Sequence, residues 1–247
     1  MAKIKALVLS GMGINCHKET ARAFDMAGAE TSTIPLGMLK EHQLILRDYQ
    51  ILALPGGFSY GDEIQSGRVL ALYLKKYLGE SLYQFAEKGH PILGICNGFQ
   101  TLAELGLLSP KGLREDISLI DNDHGKFEDR WVDVKVTGNT HCLWTKGIGV
   151  DGPVHLPLRN KQGRLVATDS YKKHLSDNSQ LKALTYSTYE NGSYEHIAGL
   201  TNKGGNILGL MPHPEACVLN LQTCNNHHPF KEGAGLKFFI NAVEYLK

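Results

Sequence analysis

The first half of the chain alternates short apolar runs with segments whose apolar residues recur at helical spacing. Residues 5–9, 50–54 and 91–95 are continuous apolar runs of strand length, and residues 30–34 read as a further strand. Between them, residues 18–27 place Ala21, Phe24 and Ala27 on one helical stripe. Residues 66–88 form a long helical stretch interrupted near Gly79, and residues 99–105 form another helix. Glycine-bearing turns end the strands, Ser10-Gly11-Met12-Gly13 after the first and Pro55-Gly56-Gly57 after the third.

The second half is different in rhythm. Residues 131–136, 154–158, 164–168, 183–189 and 196–200 are alternating, turn-punctuated segments, which predict antiparallel additions to the same sheet. An apolar run, Ile207-Leu208-Gly209-Leu210-Met211, and a helix over residues 233–245 close the chain. With no repeat, low-complexity tract or linker, the expectation is a single domain over residues 1–247. Its predicted fold is α/β, doubly wound, with a mostly parallel mixed sheet flanked by helices. In such sheets ligands bind beyond the carboxyl ends of the strands.

Two segments fall at that edge and complement each other. Gly94-Ile95-Cys96-Asn97-Gly98 stands between a strand and a helix, where a cysteine is exposed, strained and close to a helix N-terminus that favours thiolate. His213-Pro214-Glu215 directly follows residues 207–211 and offers a base with a carboxylate to orient it. Cys96, His213 and Glu215 therefore read as a hydrolytic triad. The N–H of Asn97 is the expected first oxyanion donor, and Gly57 the second, with Phe58 the next in that loop. Either segment alone is a weak signal; their pairing after two apolar strands makes the case.

Composition removes several alternatives. A formal net charge of +1 gives no footprint for nucleic acid or an anionic membrane. No apolar run reaches membrane-span length, and the N-terminus leads into a strand without a secretory h-region, which points to the cytoplasm. Cys16, Cys96, Cys142, Cys217 and Cys224 are odd in number and widely spaced, against a disulfide framework or a structural zinc site. Cys217 and Cys224 near His227 and His228 match no common metal spacing, so no metal is expected. Cys16 reads as a structural turn residue. Asp62 and Glu63 read as caps of the following helix.

These motifs resemble the class I (triad) glutamine amidotransferases, on the strength of residues 94–100 with His213-Pro214-Glu215. Within them, Pro55-Gly56-Gly57-Phe58-Ser59-Tyr60-Gly61-Asp62 is similar to the glutaminases of phosphoribosylformylglycinamidine synthases, as are residues 13–20, Asn191-Gly192-Ser193 and residues 197–200. The resemblance implies that glutamine is hydrolysed through a thioester on Cys96, with Phe58 and Gln100 as substrate-binding residues. It implies that ammonia passes to a separate synthetase subunit, which holds ATP and Mg, and it leaves room for a small bridging subunit. This chain has no Gly-x4-Gly-Lys-Ser/Thr loop, and no cofactor is expected in it. One segment departs from the family pattern: Leu156-Pro157-Leu158-Arg159-Asn160-Lys161-Gln162-Gly163-Arg164 replaces a Pro-x-x-His-Gly-Glu-Gly-Arg-like stretch and reads as a solvated turn. Two other readings stay open, a different triad amidotransferase or stand-alone γ-glutamyl hydrolase, and a non-catalytic regulatory subunit.

Overall fold

The computed structural model describes all residues except 1–2, 63–64, 66, 111–115, 190 and 224–231. Eleven strands are present among the described residues: β1 (Lys5–Ser10), β2 (Glu30–Pro35), β3 (Ile51–Leu54), β4 (Ile92–Ile95), β5 (Ile117–Ile120), β6 (Glu128–Val136), β7 (Val154–Asn160), β8 (Arg164–Ala167), β9 (Lys182–Tyr186), β10 (Ile197–Thr201) and β11 (Ile207–Leu210). The α-helices are α1 (His17–Met26), α2 (Arg68–Tyr77), α3 (Gly79–Glu87), α4 (Asn97–Glu104), α5 (Asp169–Asp177) and α6 (Leu236–Tyr245).

Nine strands share one sheet in the order β2-β1-β3-β4-β11-β10-β9-β6-β7. The five strands from β2 to β11 are mutually parallel, and beyond them only β10 and β6 run against the rest. The expected mostly parallel mixed sheet is therefore what forms. Its central strands β3, β4 and β11 are buried at every position, because helices leave neither face open to water. The two edges read differently. β2 is partly exposed along its length, and β7 carries Pro157, tolerable where an N–H need not join a ladder.

Helices α1 and α6 pack against each other, while α2 packs against both α3 and α4. Phe24 of α1 meets Phe239 of α6 edge-on at 4.9 Å and Trp144 at 6.4 Å. Trp144 is fully buried, and its indole N–H donates to the Asn206 carbonyl at 2.9 Å.

The structure corrects the reading in two places. Residues 164–168 do not extend the main sheet; β8 pairs antiparallel with β5 in a separate two-stranded sheet. Neither β5 nor α5 is predicted by the apolar pattern, although Thr168 caps α5 by accepting from the Tyr171 N–H. Helix α2 begins behind Gly67, which has no side chain to cap it; the side chain of Asp62, and Glu63 altogether, the two predicted caps, lie outside the described residues.

Candidate active site

Register brings the two predicted segments together. β4 lies between β3 and β11, with Ile95 paired to Leu210 and Gly94 to Leu54. The Cys96 N–H donates to the Leu210 carbonyl at 2.8 Å, so the nucleophile candidate and the segment entering His213 leave the sheet side by side. Cys96 then turns sharply into α4. Its backbone sits at φ 51°, ψ −106°, a strained conformation for a residue with a side chain. The turn is possible because α4 lies very close to β3: a Cβ on Gly98 would collide with the Leu54 carbonyl. Every residue from Asn97 to Ala103 is buried, which locks the elbow in place.

His213 is 2% exposed and Glu215 1%. The His213 N–H donates to the Pro157 carbonyl at 2.7 Å, and His213 Nδ1 lies 2.6 Å from Glu215 Oε1. Burial disfavours a charge on His213. That is the largest single influence, but the charge of the Glu215 carboxylate and hydrogen bonding with Cys16, Cys96 and Glu215 together outweigh it, and the His213 pKa is raised well above the ordinary histidine value. With Nδ1 taken by Glu215, Nε2 is the ring nitrogen left for proton exchange with Cys96; it is buried and has no hydrogen-bond partner among the described residues.

Cys96 opens onto a cavity of about 290 Å³ lined by Gly57, Phe58, Gly61, Gln100, Phe127 and residues 159–162. The loop after β3 supplies one rim. Asn15 and Phe58 donate to the Gly56 and Gly13 carbonyls at 3.2 and 3.0 Å, closing a bridge between Ile14 and Gly57. That geometry leaves the Gly57 N–H outside the bridge and consumes that of Phe58. Phe58 is thereby excluded as an oxyanion donor; its ring, 44% exposed, instead pairs with Phe127 at 6.2 Å on the cavity wall. Asn97 is the first residue of α4, where N–H groups point out of the helix start.

The segment that departs from the family pattern is the opposite wall rather than a solvated turn. The Arg159 carbonyl accepts from the Cys96 thiol at 3.5 Å, and the Gln162 carbonyl accepts from Gln100 Nε2 at 2.6 Å. Gln100 Oε1 also accepts from Asn97 Nδ2 at 3.0 Å, so its amide ties the elbow to this wall. Asn160 is 2% exposed, and its side-chain amide has no protein partner among the described residues.

Three residues escape the sequence reading. Asn122 bonds the Asn160 carbonyl, the Lys161 carbonyl and the Gly163 N–H, fixing the wall from behind. A Cβ on Gly56 would stand 2.7 Å from His213 Cε1, so this glycine makes room for the imidazole. Cys16, which reads as structural because no base lies near it in sequence, stands 4.0 Å from His213 Nδ1. The Pro55-Gly56-Gly57 punctuation is the available signal for Gly56; nothing local marks the other two. Of the Cys217–His228 group, Cys224, His227 and His228 lie outside the described residues.

A family model described as a CobB/CobQ-like glutamine amidotransferase domain matches residues 3–246. A Dehalococcoides mccartyi protein named phosphoribosylformylglycinamidine synthase subunit PurQ is 37% identical, covering 100% of this chain and 99% of its own. A Methanococcus maripaludis protein of the same name is 39% identical over 98% of this chain and 97% of its own. Among solved structures, a chain from the structure of PurLQS from Thermotoga maritima superposes with a TM-score of 0.78 at 34% identity, each chain covered in full. A glutamine amidotransferase from Thermotoga maritima shares the fold, with a TM-score of 0.53 at 18% identity over 87% of this chain and 77% of its own.

Proposed function

This chain belongs to the CobB/CobQ-like glutamine amidotransferase family, and from that membership we propose that it is the glutaminase subunit of a phosphoribosylformylglycinamidine synthase. Full-length similarity to subunits of that name supports the substrate pathway, and the meeting of Cys96 with the His213–Glu215 pair carries the chemistry.

Glutamine enters the cavity with its carboxamide at Cys96. The thiol proton passes to His213 Nε2, the sulfur attacks the amide carbon, and the developing oxyanion is met by the N–H groups of Asn97 and Gly57. His213 returns the proton to the departing nitrogen, releasing ammonia and leaving a γ-glutamyl thioester. Water, deprotonated by His213, then cleaves the thioester and frees glutamate. Glu215 keeps the imidazole in the tautomer that presents Nε2 to the sulfur and stabilises the imidazolium. Ammonia goes to a synthetase subunit, which binds ATP and Mg, with a small bridging subunit completing the assembly.

The test is glutamate release from glutamine by the purified chain, with and without the synthetase, its substrate and ATP, beside Cys96→Ala. Release that depends on the partner and vanishes in Cys96→Ala is expected. Strong release without a partner would instead identify a stand-alone hydrolase, and none under any condition a regulatory subunit.

A further inference from the structure

We propose that Cys16, His213 and Glu215 form an inhibitory binding site for a thiophilic divalent cation of the zinc class, overlapping the catalytic pair. The sulfur of Cys16, a ring nitrogen of His213 and a carboxylate oxygen of Glu215 all lie within 4.8 Å of one another. Two segments far apart in sequence supply them: the turn that opens α1, and the short turn after β11 that carries both His213 and Glu215. Thiolate, imidazole and carboxylate are the donor types zinc selects, at about 2.0–2.3 Å each, which sets donors on one tetrahedral ion about 3.3–3.6 Å apart. Cys16 Sγ is 4.0 Å from His213 Nδ1, so the thiol moves in slightly, while Glu215 Oε1, 2.6 Å from the same nitrogen, draws back or gives way to Oε2.

Two further observations point the same way. Glu215 is 1% exposed, yet its Oε2 has no partner among the described residues, leaving a carboxylate oxygen to satisfy. Cys16 is only half-buried, and its thiol already donates to Asn15 Oδ1 at 3.2 Å.

The consequence for the chemistry follows from proton bookkeeping. In the catalytic form Nδ1–H donates to Glu215, and Nε2 accepts the proton from Cys96. A cation on Nδ1 uses that lone pair and leaves the ring's one proton on Nε2. His213 then has no site left to receive a proton from Cys96. Binding releases the Cys16 thiol proton, and any extra proton on His213, to solvent. The silencing part of this inference rests on the glutaminase reading; the binding part does not.

The binding arm uses the full chain carrying Cys96→Ala, which removes the competing thiol. Zn2+ is titrated against a chromogenic chelator, and Co2+ is titrated with spectra recorded. We expect one Zn2+ per chain and a sulfur-to-cobalt charge-transfer band. Adding Cys16→Ser or, separately, Cys16→Ala should weaken Zn2+ binding on the order of 100-fold or more and abolish the band, since loss of a mere supporting residue already costs about 10–100-fold. Melting curves for both variants check folding. The inhibition arm measures glutamate release by the chain with its synthetase partner against Zn2+, where Cys16→Ser should raise the half-inhibiting concentration by a similar factor. Binding unchanged by either Cys16 substitution, or no binding to Cys96→Ala at all, overturns the proposal. Absence of glutamate release before any metal is added would sink the glutaminase reading while leaving the binding arm decisive.

Discussion

At the residue scale, the site depends on how little room surrounds one imidazole. Gly56 presses against the His213 ring with no side chain of its own. Its backbone is compatible with alanine, so Gly56→Ala should fold and push His213 away from Cys96. A displacement near 1 Å costs about 10²-fold in rate, and kcat for glutamate release is expected to fall by that order with the melting temperature nearly unchanged. Glu215 acts on the same ring through charge. Because it raises the His213 pKa well above the ordinary value, the proton taken from Cys96 stays on the imidazole at neutral pH, and activity is lost only as pH rises through that raised value and no proton is left for the departing nitrogen. Glu215→Gln removes the largest raising influence, so the alkaline limb of the pH–rate profile should move to lower pH while kcat drops about 10³–10⁴-fold. The same sign governs stability. His213 contributes stabilisation that is fully present below the unfolded value of about 6.5 and fades as pH climbs through the folded one.

At the scale of single elements, the elbow and the far wall are unequally legible. A glycine on each side of Cys96, between an apolar run and a helical pattern, is a local signature, and the strained φ and close α4–β3 approach are its physical content. The His213-Pro214-Glu215 turn is legible for the same reason, since both roles sit two residues apart behind an apolar strand. The wall at residues 159–162 is not, because its contributions are carbonyl groups, which no side-chain pattern reports. Its support is equally hidden: Asn122 serves the wall through bonds that reach 38 to 41 residues along the chain. Asn122→Ala would strand several of those groups. We expect a loss of about 1–3 kcal/mol in denaturant unfolding and a higher KM for glutamine, as the wall loosens over Cys96. An unchanged KM would show that the wall holds itself.

For the molecule as a whole, apolar periodicity foretells the parallel half of the sheet well, because those strands are buried on both faces and leave continuous runs. It misplaces residues 164–168, since alternation says that one face is covered without saying by what; β8 pairs with β5 instead of joining the main sheet. Cys16 shows the same limit, a residue near the N-terminus that three-dimensional closure sets beside a histidine almost two hundred positions later.

One consequence of that closure concerns β7, the last strand in the sheet order. From this outer position β7 reaches back to the centre, holding the His213 amide with the Pro157 carbonyl and meeting the Cys96 thiol with the Arg159 carbonyl. The β6–β7 hairpin is thus placed as a latch: fraying at the margin, where strands ordinarily open first, would release one restraint on His213 and one on the reacting sulfur. Hydrogen exchange at the described amides of β7 should therefore report catalytic readiness, slowing when the synthetase is bound and glutamate release rises. If those amides exchange at the same rate in both states, the latch is not what the partner tightens.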